Sequence, residues 1–247
     1  MIIIAIIPAR YASTRFPGKP LAMINGKPLI QYVWESASKA SLIDRVIVAT
    51  DDERIFKTVK EFGGEAFMTS SHHATGTDRI TEVAKKNEAD IIVNVQGDEP
   101  LIEPRVIDMA VEPFINRNSG LRMGTICTEV KTDNELKDPN VVKVVIDRNG
   151  YALYFSRCPI PYKRDGGAAH VYYKHIGLYV YTKDFLINFS GLSPTPLEYT
   201  EKLEQLRALE HGYKIKVIKT DYDSIGVDTS EDLERVREIL KTKKPNF

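Results

Sequence analysis

Cysteine is scarce in this 247-residue chain. Cys127 and Cys158 are the two present, and their separation matches neither a metal-binding nor a redox motif. They are expected to be free core thiols in a reducing compartment. An excess of charge of either sign is also missing. Lys plus Arg number 34 and Asp plus Glu number 34, so no overall field favours nucleic acid or an anionic membrane. Long apolar runs are lacking as well, none approaching the ~18 residues that suggest a membrane span. The apolar start has no basic flank and no cleavage site of the kind a signal peptide carries. A cytoplasmic location is the expectation. No internal repeat, low-complexity segment or interdomain linker interrupts the chain, which predicts a single domain over 1–247.

At the start stands an unbroken run, Ile2-Ile3-Ile4-Ala5-Ile6-Ile7, which ends in a loop carrying Arg10, Arg15 and Lys19. The run is too short to span a membrane and too β-branched to favour a helix, so it predicts a buried parallel strand. Open α/β sheets bind ligands beyond the carboxyl ends of their strands, which makes this loop a candidate anion site. Small residues (Ala9, Ala12, Ser13) let the backbone approach a polyphosphate, and the three cations supply charge-assisted hydrogen bonds. A nucleoside triphosphate is the simplest ligand, and a solvated basic loop is the alternative. The loop is not a Walker A motif, because Gly18-Lys19 is followed by Pro20 and the first glycine is missing. No G-x-G-x-x-G follows the strand, which disfavours a Rossmann dehydrogenase. No serine or cysteine sits in a nucleophile elbow.

Downstream, strand and helix patterns alternate with short connections. A helix is predicted from 29 to about 40, a strand over 45–50, and a helix closed by Gly63-Gly64. A short strand over 65–69, a helix over 78–87 and a strand over 90–95 follow, and Pro104 opens a further helix. From 122 the pattern changes to consecutive strands over 123–130, 141–147 and 151–155, with a hairpin turn at Asp147-Arg148-Asn149-Gly150. Alternate aromatics over 171–181 read as core or as a dimer interface. One helix is predicted over 198–211, a strand over 213–220 and a last helix from 229 to about 240. The class is α/β: a Rossmann-like, mostly parallel sheet with helices on both faces and an antiparallel excursion. That excursion marks a subdomain at about 122–212.

Acids mark two further strand ends. Gln96-Gly97-Asp98-Glu99-Pro100 follows a buried strand and faces the same sheet edge as loop 8–21. A carboxylate beside a triphosphate most often holds Mg²⁺, which takes one or two protein carboxylates plus phosphate oxygens. Asp98 is the candidate ligand, or else a turn former, and Glu99, pointing the other way, is expected to be solvated. Asp228, shortly after Gly226, either completes the metal site or caps the last helix. Asp51-Asp52 either binds ribose or, more simply, caps the next helix. His72-His73 are adjacent, do not converge on one ion and have no third ligand at a sensible spacing.

These stretches resemble a known family. Ile7-Pro8-Ala9-Arg10 through Lys19-Pro20-Leu21, with Thr50-Asp51-Asp52, is similar to the N-terminal half of sugar nucleotidyltransferases. His73-Ala74-Thr75-Gly76-Thr77-Asp78-Arg79, Val95-Gln96-Gly97-Asp98-Glu99-Pro100 and Tyr154-Phe155-Ser156-Arg157-Cys158-Pro159-Ile160-Pro161 narrow the likeness. Lys174-His175-Ile176-Gly177-Leu178-Tyr179, Glu201-Lys202-Leu203-Glu204-Gln205-Leu206-Arg207 and Gly226-Val227-Asp228-Thr229 complete it. The ordered set resembles the 3-deoxy-manno-octulosonate (Kdo) cytidylyltransferases from residue 2 to about 240. Only Glu210-His211-Gly212 is looser than the family pattern, and it carries no role.

The resemblance implies transfer of CMP from CTP to the anomeric hydroxyl of Kdo, with release of pyrophosphate, for lipopolysaccharide synthesis. It implies that Arg10, Ser13, Arg15 and Lys19 hold the triphosphate. Thr75, Gly76 and Arg79 then surround cytosine with Pro8 and Ala9, and Asp98 and Asp228 bind Mg²⁺. Gln96, Arg157, His175, Tyr179, Glu204 and Gln205 are implied to line the sugar pocket, with the planar fork of Arg157 facing the Kdo carboxylate. Arg10, Lys19, Asp98 and Asp228 form the implied catalytic set. The strands between about 150 and 180 are implied to pair two copies as a homodimer. Sialic-acid cytidylyltransferases share the nucleotide and the reaction and differ in the keto-sugar acid. A nucleotide sensor without catalysis would need no pair of metal carboxylates.

Overall fold

The computed structural model describes residues 1–12, 16–116, 119–164 and 170–242. The β-branched start forms β1 (Ile3–Ala9). Its side chains alternate between two cores: Ile3, Ala5, Ile7 and Ala9 pack into one, Ile4 and Ile6 into the other. Burial on both faces is why the strand reads as a continuous apolar run.

Residues 19–21 form a single 3₁₀ turn, and the minor hairpin β2 (Met23–Ile24) and β3 (Lys27–Pro28) leads into α1 (Leu29–Ser38). Then come β4 (Arg45–Thr50), α2 (Glu53–Glu61), β5 (Glu65–Met68), α3 (Gly76–Lys85), β6 (Ile91–Asn94) and α4 (Pro104–Ile115). Asp52 caps α2 through its carboxylate and Gly63 closes it at φ 84°, which a side chain would resist. Thr75 and Asp78 form a capping box at the start of α3.

The second half holds β7 (Met123–Glu129), the short α5 (Asp133–Lys137), and the antiparallel pair β8 (Lys143–Ile146) and β9 (Ala152–Ser156). It continues with β10 (Tyr173–Thr182), α6 (Lys183–Ser190), α7 (Pro196–Glu201), α8 (Gln205–Glu210), β11 (Ile215–Lys219) and α9 (Ser230–Thr242).

Among the described residues one sheet runs β11-β7-β10-β6-β1-β4-β5, with β8 and β9 attached beside β10. Four of the six pairings along that path are parallel, and the two made by β10 with β6 and β7 are antiparallel. Leu29 and Val33, Ile55 and Val59, and Val106 and Ile107 cover one face of the sheet, while Ile80 and Val83, Phe185 and Phe189, and Leu206 cover the other. The antiparallel excursion is the β8–β9 hairpin; β7 and β10, on either side of it in sequence, lie inside the main sheet.

Three expectations are corrected. The helix predicted over 198–211 is two helices, because Lys202 turns left-handed at φ 55° and starts a new axis. Glu198 then accepts from Arg207 Nε at 2.8 Å across the break. The helices α5 and α6 are additional to the pattern, each capped by a threonine, Thr132 and Thr182. Of the two thiols, Cys127 is buried and Cys158 is exposed.

Candidate active site

The strand order reverses at β1: β4 lies on one side of it and β6 on the other. A crevice opens beyond the carboxyl ends of two strands at such a switch point. Here it is a cavity of about 470 Å³ lined by Pro8, Ala9 and Arg10 at the end of β1 and by Gln96, Gly97 and Asp98 after β6, with Lys19, Gly76, Arg79 and Asp228 closing it. The two strand exits touch at Gly97, where a Cβ would lie 2.7 Å from the Pro8 carbonyl oxygen. Only glycine permits that approach.

Lys19 is the centre of the cavity's charge. Its Nζ donates to Asp98 Oδ2 at 2.8 Å and to Asp228 Oδ1 at 3.1 Å. These residues stand 79 and 209 positions from it in the chain. The lysine is delivered by the 3₁₀ turn after Gly18, whose φ of 73° suits glycine. The Gly18 amide donates to Tyr11 O at 2.9 Å, so the loop is closed upon itself, and the Arg54 guanidinium lies 3.3 Å from the Tyr11 ring centroid. Asp228 arrives on the segment between β11 and α9. The Val227 amide donates to the Asp98 carbonyl at 2.9 Å, tying the two acidic segments together. The Asp232 carboxylate accepts from the Asp228 amide at 3.0 Å, so the helix-capping acid is Asp232 and the Asp228 side chain faces the cavity.

Glu99 is not solvated. It is 9 % exposed, and burial beside Asp98 pushes its carboxyl up to about 7, offset in part by a hydrogen bond from Ser224. Its side-chain hydrogen-bond partner, Ser224, lies more than a hundred residues away in sequence, so local pattern does not reveal its burial. Asp51, read as a ribose or capping acid, pairs instead with Arg79 Nη2 at 3.0 Å. Arg79 is buried, also donates to Thr69 Oγ1, and keeps an Nε that has no hydrogen-bond partner among the described residues. Thr75 caps α3 and does not line the cavity, whereas Gly76 and Arg79 from the same stretch do. Ser13 and Arg15 lie outside the described residues. His73 pairs with Glu82 at 2.7 Å, and among the described residues no cluster of three metal-ligating side chains occurs.

The residues assigned to the sugar form a second group. Gln96 lines the cavity and donates to the Gly177 carbonyl at 2.9 Å. Two positions along β10, the Tyr179 ring packs 5.3 Å from His175. His175 shares a hydrogen bond of 2.9 Å with Thr125 Oγ1, and burial pulls its imidazole down to about 3. Burial raises the Tyr179 phenol well above its ordinary value, with Glu204 adding to the shift. Glu204 accepts from Thr77 Oγ1, and burial raises its carboxyl too. The neighbouring Gln205 is buried, and its Nε2 has no hydrogen-bond partner among the described residues. Arg157 stands apart from the cavity lining: its fork donates to the backbone carbonyls of Glu201 at 2.7 Å, Pro139 at 2.8 Å and Lys202 at 3.4 Å. In this structure those bonds hold the end of β9 against the α7–α8 break.

A cytidylyltransferase family model matches residues 4–215. A 3-deoxy-manno-octulosonate cytidylyltransferase of Geotalea uraniireducens is 59% identical over 98% of this chain and 100% of its own length. The protein of the same name in Geobacter sulfurreducens is 55% identical, again over 98% of this chain and all of its own. Among solved structures, CMP:2-keto-3-deoxy-manno-octonic acid synthetase complexed with CTP superposes with a TM-score of 0.94 at 43% identity, covering 99% of this chain and 100% of that one. A 4-diphosphocytidyl-2C-methyl-D-erythritol synthase of Anaerococcus prevotii shares the fold at a TM-score of 0.65 and 17% identity, over 97% of this chain and 98% of its own.

Proposed function

The chain belongs to the cytidylyltransferase family, and from that premise we propose that it transfers CMP from CTP to the anomeric hydroxyl of Kdo, giving CMP-Kdo and pyrophosphate. The observation that carries this reading is the convergence of Arg10, Lys19, Asp98 and Asp228 on one cavity at the switch point of the sheet. The shared name of relatives above 50% identity supplies the acceptor.

The donor set suits a divalent cation. Two carboxylates from distant parts of the chain already face one positive centre, within 2.8 and 3.1 Å of an ammonium. Mg²⁺ takes this kind of hard oxygen pair and completes its shell with water and phosphate. Asp98 and Asp228 would hold it, and when bound it would align the α-phosphate and offset its charge.

The reaction forms a bond from the Kdo anomeric oxygen to the α-phosphorus and breaks the bond to pyrophosphate. Phosphoryl chemistry of this kind asks the protein mainly for positioning and charge stabilisation. Arg10 and Lys19 offset charge on the departing pyrophosphate. Gly76, at the N-terminus of α3, and Arg79 lie beside Pro8 and Ala9 where the base would sit. Gln96, His175, Tyr179, Glu204 and Gln205 provide the polar wall for the acceptor.

The same reading makes the protein a homodimer. Leu153 in β9, Tyr162 and Val171 between β9 and β10, and Leu197 and Tyr199 in α7 are large apolar side chains exposed in this half of the chain, which supports an interaction surface there. Pyrophosphate release tests the function. It is expected with CTP, Mg²⁺ and Kdo together, and N-acetylneuraminate in place of Kdo should release little. A preference for N-acetylneuraminate would move the chain to the sialic-acid branch.

A further inference from the structure

Lys19 lies between the two carboxylates that the proposed function assigns to a divalent cation. Its Nζ lies between Asp98 Oδ2 and Asp228 Oδ1, and its side chain is 13% exposed, against 35% and 46% for the two acids. Two carboxylates this close repel each other unless a cation separates them. An ammonium and a hydrated divalent ion cannot both fill that gap.

We propose that Lys19 is a placeholder: it seats itself between Asp98 and Asp228 in the nucleotide-free enzyme, excludes free metal, and hands the carboxylates over only when a triphosphate arrives. The proposal rests on the reading of Asp98 and Asp228 as metal ligands. Its physical basis is an exchange of partners. A cation binding alone must displace two charge-assisted hydrogen bonds and take both of these acceptors from a lysine in a largely buried position. A triphosphate supplies new acceptor oxygens in the same cavity, which Arg10 also lines. Lys19 then moves from carboxylate to phosphate while the metal carried by those phosphates takes its seat. The exchange keeps the charge balanced throughout and requires no unpaired carboxylate. It implies positive coupling, since metal and nucleotide each strengthen the other's binding by the same factor. It also orders the reaction: metal enters with the nucleotide rather than before it.

The test is Mn²⁺ binding to the nucleotide-free protein, followed by loss of the free-ion electron paramagnetic resonance signal. Wild type is compared with Lys19→Met, Lys19→Gln and the double variant Lys19→Met/Asp98→Asn. Thermal melts of the variants confirm that each is folded. Removal of the lysine is expected to tighten Mn²⁺ binding at least tenfold in both single variants, and the double variant should lose that gain. If wild type binds Mn²⁺ as tightly as Lys19→Met while the double variant binds poorly, the metal site stands and the placeholder role is overturned. If neither single variant gains affinity, the placeholder role is likewise overturned. If Lys19→Met gains affinity and the double variant keeps it, the ion does not sit on Asp98, and the metal reading falls with the proposal.

Discussion

Replacing Lys19 removes the ammonium that lies 2.8 Å from Asp98 and 3.1 Å from Asp228. The loss of one preorganised charge stabiliser typically costs ~10²–10³ in turnover. Lys19→Ala and Asp98→Ala are each expected to lose at least that factor in kcat, measured by pyrophosphate release at saturating CTP and Kdo. Wild-type turnover in either variant would remove that residue from the scheme. His175 makes a different prediction. Burial pulls its imidazole down to about 3 from an ordinary value of 6.5. Between those values the unfolded chain holds the proton and the folded chain does not, so stability rises with pH across that window and is fully present above it. Lowering the pH from 7 to 5 should therefore withdraw about 2 kcal/mol through this residue alone. Urea midpoints of wild type and His175→Gln at the two values check it: the variant should lose visibly less on acidification. Lys19, Asp98 and Asp228 were legible in the sequence because each follows a strand-like run or a tight turn at a predictable edge. Glu99 and Arg157 were not, because their surroundings, Ser224 for the one and Glu201 for the other, come from segments that only the fold brings close.

At the scale of elements, the site depends on how closely the exits of β1 and β6 approach. Gly97→Ala places a methyl 2.7 Å from the Pro8 carbonyl oxygen. Backbone is the obstacle, so the strain has no flexible side chain to absorb it. A cost of ~1–3 kcal/mol in urea unfolding is expected, as for other overpacked sites, together with weaker CTP binding by calorimetry. The elements themselves were readable where period and punctuation agreed. Asp52 and Gly63 bracket α2, and β4 runs Arg45–Thr50 as the apolar run predicts. The reading failed at Lys202, a left-handed lysine with no glycine or asparagine to announce it. There the Glu198–Arg207 pair and the bonds from Arg157 to the Glu201 and Lys202 carbonyls accompany a break that local propensity does not foretell.

The whole molecule joins a largely parallel nucleotide-binding half to a mixed half through β10, which pairs antiparallel with β6 on one side and β7 on the other. That strand, inside the sheet, carries His175 and Tyr179 on either side of Gly177, whose carbonyl accepts from Gln96. In the proposed reading, nucleotide and acceptor sites share one sheet, which suits a reaction governed by positioning. Light scattering is expected to report a dimer, and Leu153→Lys with Tyr199→Lys should shift it toward monomer; a monomeric wild type at micromolar concentration would refute that arrangement. The bond that is made can be observed directly by following enzyme, CTP, Kdo and Mg²⁺ with ³¹P nuclear magnetic resonance. One new phosphodiester resonance is expected, from CMP joined to Kdo, growing in step with pyrophosphate. Pyrophosphate without that phosphodiester, or no turnover of CTP in the presence of Kdo, would contradict the proposed transfer.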